Sequence, residues 1–151
     1  MTESATTQQQ TSFKVLLIGD SCIDEYKIGT VDRLSPEAPV PVIKLTKQNV
    51  VVGMAANVNL NLANLGIEAD FVTNKETITK TRFIDQRSGQ HLLRVDDEVE
   101  VSQWDGYTPF PLSTYDCIII SDYNKGFLKY IDIERIVNSV KCPVFIDTKK
   151  T

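Results

Sequence analysis

Three short apolar runs govern what this chain can become: Phe13-Lys-Val-Leu-Leu-Ile-Gly-Asp20, Tyr115-Asp-Cys-Ile-Ile-Ile-Ser-Asp122 and Pro143-Val-Phe-Ile-Asp147. Their apolar character is continuous rather than alternating, which suits strands covered on both faces, as in a parallel sheet. Each run ends in aspartate. Ligands of open α/β sheets sit outside the carboxyl ends of the strands, so the pattern predicts three carboxylates converging on one rim. An aspartate in such a place also caps turns, and for any one of the three that reading stands equally.

Between these runs the periodicity changes. Ala55, Val58, Leu62 and Leu65 recur at helical spacing and predict a helix over 53–65, with Gly66 placed to end it. A second helix is predicted over 130–140 from Ile133, Ile136, Val137 and Val140; it joins two of the apolar runs as a βαβ crossover. Residues 68–73 read as another strand. The stretch 29–52 differs in character. It holds Pro36, Pro39 and Pro41 ahead of β-prone residues, and proline is confined to edges and turns, so a small peripheral β element is expected there. Residues 79–86 and 91–97 predict a hairpin across Arg87-Ser-Gly-Gln90, and 104–111 a loop.

Composition narrows the function classes. A chain of 151 residues, 42% hydrophobic, suffices for one domain of ordinary size, 13–151, preceded by a polar, floppy tail over 1–12 without a secretory pattern. The formal net charge of −4 argues against a nucleic-acid binder. No apolar run approaches the ~20 residues of a membrane span. Cys22, Cys117 and Cys142 show no C-x-x-C spacing, and His91 is the single histidine, which argues against zinc and suits a reducing cytoplasm.

Three segments look like more than scaffold. Gly19-Asp-Ser-Cys-Ile-Asp24 places two acids just beyond a buried strand. Gly53-Met-Ala-Ala-Asn57 opens a helix, where free N–H groups favour an anion or a hydroxyl-rich ligand. Ser121-Asp-Tyr-Asn-Lys-Gly126 follows the second buried run. A polyol suits short side chains such as Asp and Asn at rigid element ends, although capping explains the same residues. Lys80, Arg82 and Arg94 are placed to hold a phosphate, against the plainer reading of a solvated charged face.

Taken in order, Asp20 to Asp24, then Arg33-Leu-Ser-Pro-Glu-Ala-Pro-Val-Pro-Val42, Gly53 to Asn57, Lys80-Thr-Arg82, Leu92-Leu-Arg94 and Ser121 to Gly126 resemble the ribokinase-like (PfkB) carbohydrate kinases, specifically their heptose-phosphate branch. The run through Ser35-Pro-Glu-Ala-Pro-Val-Pro is its most specific part. The resemblance implies a ribokinase-like, Rossmann-like α/β fold: a mostly parallel sheet with a small protruding β lid over 29–52, incomplete at the carboxyl end. It implies substrate-binding roles for Asp24, Arg33, Gly53, Asn57, Asp122 and Lys125. It also implies a sugar phosphate as ligand and a homo-oligomer formed through the lid or exposed sheet. ATP and Mg are implied for the complete family.

The departures from the family pattern bear on activity. The family's Gly-Ala-Gly-Asp segment, which supplies the base and the N–H donors for the transferring phosphoryl group, does not occur in these residues. The seven glycines are too dispersed for a P-loop or a G-x-G-x-x-G cradle. No cofactor is therefore expected for this chain alone, and no catalytic residue or metal ligand is assigned. Met54 stands at the second position of the family's glycine pair, putting a long side chain where backbone should approach sugar. Thr148 replaces the proline of an Asp-Pro-Lys pattern at Asp147 and Lys149. Finally, 71–73 runs almost directly into 76–82, where the family has a further helix and strand. The expectation is a reduced, catalytically silent sugar-kinase-like chain; the alternatives are a non-catalytic interaction module or one part of a split or fragmentary kinase.

Overall fold

Each of the three aspartate-ended runs forms a strand, and all three lie in one sheet. The computed structural model describes residues 13–150; the tail expected over 1–12 lies outside the described residues. In chain order the elements are β1 (Val15–Gly19), β2 (Ser21–Leu34), β3 (Pro41–Met54), α1 (Ala55–Asn64), β4 (Ala69–Thr73), β5 (Thr79–Asp85), β6 (His91–Asp97), β7 (Cys117–Asp122), α2 (Tyr130–Ser139) and β8 (Val144–Thr148). A single 3-10 turn at Leu112–Thr114 leads into β7.

The first sheet has the order β4-β1-β7-β8, with every pair parallel. Its two central strands are the two most continuously apolar runs, and all of β1 is buried. The core gathers Leu16, Ile18, Ile118 and Ile120 against Ile136 of α2 and the loop residues Trp104, Phe127 and Leu128. Edge strand β8 is different: Phe145 and Ile146, pointing to opposite faces, are 62% and 46% exposed. Close approach of the central strands depends on Gly19. A Cβ there would lie 1.9 Å from the Ser121 carbonyl oxygen.

The second sheet, in the order β3-β2-β5-β6, is larger than the lid expected over 29–52. β2 and β3 are 14-residue strands that pair antiparallel from Ser21–Met54 at the base to Leu34–Pro41 at the tip. The prolines do take the turn and the start of a strand. What sequence reasoning missed is that β2 begins two residues after β1 ends, so Asp24 lies within a strand rather than in a loop beyond one. The cause is the alternation of Cys22, Asp24 and Tyr26 with Ile23, Glu25 and Lys27, which suits a sheet with two unlike faces. The expected hairpin forms as β5 and β6, and β5 adds to β2 in parallel. Residues 74–78 carry the chain directly from the first sheet to the second.

Both expected helices are present, but α1 begins at Ala55 rather than at Gly53, because Gly53 and Met54 are still paired with Cys22 and Ser21 as the end of β3. α1 ends at Gly66, whose φ of 76° and N–H to the Ala63 carbonyl complete the turn, while the Ile67 N–H reaches the Leu62 carbonyl. α2 lies between β7 and β8, which pair in parallel, as the crossover requires. No helix among the described residues is long and apolar enough to cross a membrane.

Candidate functional site

The second sheet turns one face toward the ends of β1 and β7, and its alternation decides what that face carries. Registry sets Asp24 opposite Val51 and Lys80, Tyr26 opposite Arg82, and Arg82 opposite Arg94. These residues, with Cys22, Gly53, Met54, Asn57 and Tyr123, line an open cavity of about 430 Å³. Three cations thus meet two carboxylates, Asp24 and Asp96, on one wall.

Each cation is held differently. The Arg82 guanidinium donates to Asp24 Oδ1 at 2.5 Å and stacks 5.3 Å from the Tyr26 ring centroid. Arg94 donates through Nε and Nη2 to both oxygens of Asp96, at 2.6 and 2.7 Å. That paired geometry holds the Asp96 carboxyl below the usual carboxylate range. Lys80 forms no ion pair among the described residues. The wall therefore carries one positive charge in excess, with oxygen acceptors close by: a setting for an anion that also bears hydroxyl groups.

Gly53 owes its place to Asp24. A Cβ on residue 53 would lie 2.3 Å from Asp24 Oδ2 and 2.6 Å from Cys22 Sγ, so a side chain there would push the carboxylate aside. Burial, reinforced by the neighbouring Asp24 charge, lifts the Cys22 thiol to about 11, so it stays protonated and unreactive.

Met54 follows in a backbone conformation, φ 56° and ψ −133°, that lies close to a region used almost only by glycine. The long side chain expected to obstruct the cavity is largely turned into the core, with 6% of its surface exposed. The family's glycine pair thus has a conformational cause at its second member, and this chain retains the conformation without the glycine.

The three rim acids do converge, but they do different work. Asp20 is fully buried; it accepts from the N–H groups of Tyr123 (2.7 Å), Lys125 (3.3 Å) and Phe127 (3.3 Å), fastening the loop after β7 to the end of β1. Burial pushes its carboxyl above the usual range despite those three donors. Asp122 is also fully buried. Burial alone would raise it, but Lys150 Nζ at 2.6 and 2.7 Å, Thr148 Oγ1 at 2.6 Å and the Asn124 N–H hold it below the ordinary value. The threonine that replaces the family's proline is thus a partner of Asp122. Asp147 is exposed and faces Lys149 at 3.4 Å.

Of the sequence-derived candidates, Asp24, Gly53 and Asn57 come together at the cavity. Asp122 lies behind its lining, Lys125 pairs with Glu98, and Arg33 is exposed toward the far tip of β2. Lys80, Arg82 and Arg94, weighed as a solvated face, line the cavity instead. Their i, i+2 spacing across the predicted hairpin (80 with 82, 94 with 96) was the available signal. Tyr26 and Tyr123 were not singled out.

Over nine-tenths of its length the chain matches proteins named bifunctional protein HldE. The chain is a homologue of HldE. It is 32% identical over 169 residues to HldE of Hydrogenovibrio crunogenus (90% of this chain, 35% of that protein) and 34% identical over 174 residues to HldE of Vibrio vulnificus (91% and 36%). It therefore spans about a third of the length of these HldE proteins. Because the 169-residue match draws on only 90% of 151 residues, HldE carries residues within the matched stretch that this chain lacks. No protein-family model matches the chain. Solved structures similar to it include ribokinase from Cryptococcus neoformans in complex with ADP (17% identity, TM-score 0.45, 76% of this chain and 42% of that one). Phosphofructokinase-2 from Escherichia coli in complex with fructose-6-phosphate is another (10%, TM-score 0.47, 89% and 55%).

Among the described residues no group of three or more His, Cys, Asp or Glu side chains is placed to hold a metal ion, and the two buried rim carboxylates are already occupied by the chain's own donors.

Proposed function

We propose that this chain is the sugar side of a PfkB-type, HldE-related carbohydrate kinase, that it binds a sugar phosphate of the heptose-phosphate class in the 430 Å³ cavity, and that these residues alone transfer no phosphoryl group. One observation carries the reading: Lys80, Arg82 and Arg94 line the same cavity as Asp24 and Asn57, the first four on one sheet face and Asn57 on α1. The phosphate pairs with Lys80 and the edge of Arg94, while Asp24 and Asn57 exchange hydrogen bonds with sugar hydroxyls. Arg82 holds Asp24 oriented through its guanidinium hydrogen bond. ATP and Mg belong to the complete family's reaction, and nothing in this cavity takes their part.

Titration calorimetry of the chain with a heptose phosphate and with the unphosphorylated heptose tests the reading. The phosphate ester is expected to bind at least tenfold more tightly, and Asp24→Ala to abolish the heat. Equal affinity for both sugars, or unchanged binding by Asp24→Ala, refutes it. A chain that alone phosphorylates a heptose with ATP refutes the catalytic half.

A second reading, an oligomeric interaction module without ligand, is favoured by a different observation. The far face of the second sheet exposes Val50, Leu93 and Val95, and the β8 edge exposes Phe145 and Ile146. A homo-oligomer through either surface is compatible with sugar binding. Light scattering distinguishes it from a 17.0 kDa monomer.

A further inference from the structure

A second cavity, of about 470 Å³, opens where residues 74–78 leave β4 for the second sheet. Its character is unlike that of the sugar cavity. Phe71, Trp104, Tyr107 and Phe127 supply its aromatic surface; Trp104 and Phe127 belong to the buried core, whereas Tyr107 is exposed at the rim. The Trp104 indole is fixed, because its Nε1 donates to the Tyr107 carbonyl at 2.7 Å while the Trp104 backbone N–H donates to the Phe127 carbonyl at 2.8 Å. Arg135 lies 5.0 Å from the indole ring centroid and is not a lining residue. A rigid aromatic floor of this kind exists before any ligand arrives, so little ordering is required on binding.

The mouth carries one charge of each sign. Lys75 lines the cavity and forms no side-chain hydrogen bond or ion pair among the described residues. Asp105 lines it too; its Oδ1 accepts from the Tyr107 N–H at 2.8 Å, which fixes the carboxylate without neutralising it. A simple aromatic acid would meet Asp105 and a simple aromatic amine would meet Lys75. We infer that this cavity is a binding site for a small aromatic zwitterion of the aromatic amino-acid class, its ring on the Trp104–Phe71 surface, its carboxylate at Lys75 and its ammonium at Asp105. Nothing in this inference depends on the sugar-phosphate reading.

Trp104 is the single tryptophan and lies in the cavity wall, so its fluorescence reports occupancy. The full chain is titrated with L-phenylalanine, 3-phenylpropionate and phenethylamine, with free N-acetyltryptophanamide as the collisional control. L-Phenylalanine is expected to change the emission saturably with a Kd of roughly 0.1–1 mM, in line with a dozen well-buried ligand atoms. Each singly charged analogue is expected to bind about fivefold more weakly, the size of a partly exposed charge pair. Lys75→Met should weaken L-phenylalanine and 3-phenylpropionate but not phenethylamine, and Asp105→Asn should do the reverse. No saturable change by about 10 mM, indistinguishable affinities for the three ligands, or charge variants that leave every affinity unaltered would overturn the site. Both variants alter rim groups, and unchanged far-ultraviolet dichroism verifies that they fold.

Discussion

Met54 offers a direct test of whether its backbone conformation is strained. With φ at 56° and ψ at −133°, an L residue there costs about 1–3 kcal/mol relative to a relaxed conformation. Its side chain is nonetheless buried in the core, so removing it costs about 2–5 kcal/mol. Met54→Ala loses the packing and keeps the strain. Met54→Gly loses the same packing and relieves the strain, at the expense of about 0.4–1 kcal/mol of extra unfolded-state freedom. Both variants are therefore less stable than the parent, but glycine should exceed alanine by about 1–2 kcal/mol, the reverse of their order in most structured positions. Glycine is also the better of the two at a helix N-cap, which is where residue 54 sits. For a chain of this length that difference separates the melting temperatures by about 2–8 °C. Urea unfolding followed by Trp104 emission measures it. If Met54→Ala equals or surpasses Met54→Gly, position 54 is not strained and the argument fails.

Other consequences are more local. Gly19→Ala should unfold the chain or lower its melting temperature by more than Ile136→Ala does, because the new Cβ meets a backbone oxygen at 1.9 Å and no side chain can yield; a soluble, parent-like melt would refute the close approach. Ile136→Ala should cost about 2–5 kcal/mol in urea unfolding, since Ile136 is the buried residue of α2. The rim acids should give opposite pH signatures. Asp122 is depressed in the fold, so its stabilisation is present above the unfolded value near 3.8 and disappears as pH falls through its lower folded value; Asp122→Asn should lose most relative to the parent at neutral pH and least in acid. Asp20 is raised, so its contribution is greatest below 3.8 and declines as pH rises through its folded value; the deficit of Asp20→Asn should shrink between pH 4 and neutrality. Parallel stability–pH curves for parent and variants would contradict both assignments.

How much of this was legible in the residues follows from what each pattern records. Continuous apolar runs gave the central strands of the parallel sheet because burial on both faces, as in β1 and most of β7, leaves no position along the run free for a polar residue until its carboxyl end, while the three-and-four spacing of apolar residues gave both helices. The lid was misjudged at its base because β2 alternates. Val31 and Ile28 announce a strand no more strongly than Ile23 does, and the proline cluster drew attention to the tip instead. Asp24 and Gly53 could be paired as candidates from the family resemblance, but their mutual need is a contact across β2 and β3, which no spacing in a single chain encodes. Lys80, Arg82 and Arg94 illustrate the same limit. A charged strand looks identical whether its face meets solvent or a cavity, and only the parallel addition of β5 to β2 decides the matter.

The two buried carboxylates show why acids at strand ends should not all be assigned to ligand binding. Asp20 and Asp122 sit at adjacent strand ends, where the chemistry of a sugar site would be sought, yet each satisfies its oxygens within the chain. Asp20 uses backbone donors and thereby fixes Tyr123, one of the cavity's walls; Asp122 uses Lys150 and Thr148 and ties β8 to β7. Removing Asp20 should therefore weaken sugar-phosphate binding by loosening Tyr123 rather than by deleting a contact. Tyr123→Phe discriminates between these roles: if the loop's position is what matters, Phe at 123 retains affinity within about threefold of the parent while Asp20→Asn loses more. An Asp20→Asn chain that binds the sugar phosphate as tightly as the parent would show that the β7 loop holds its place without this carboxylate.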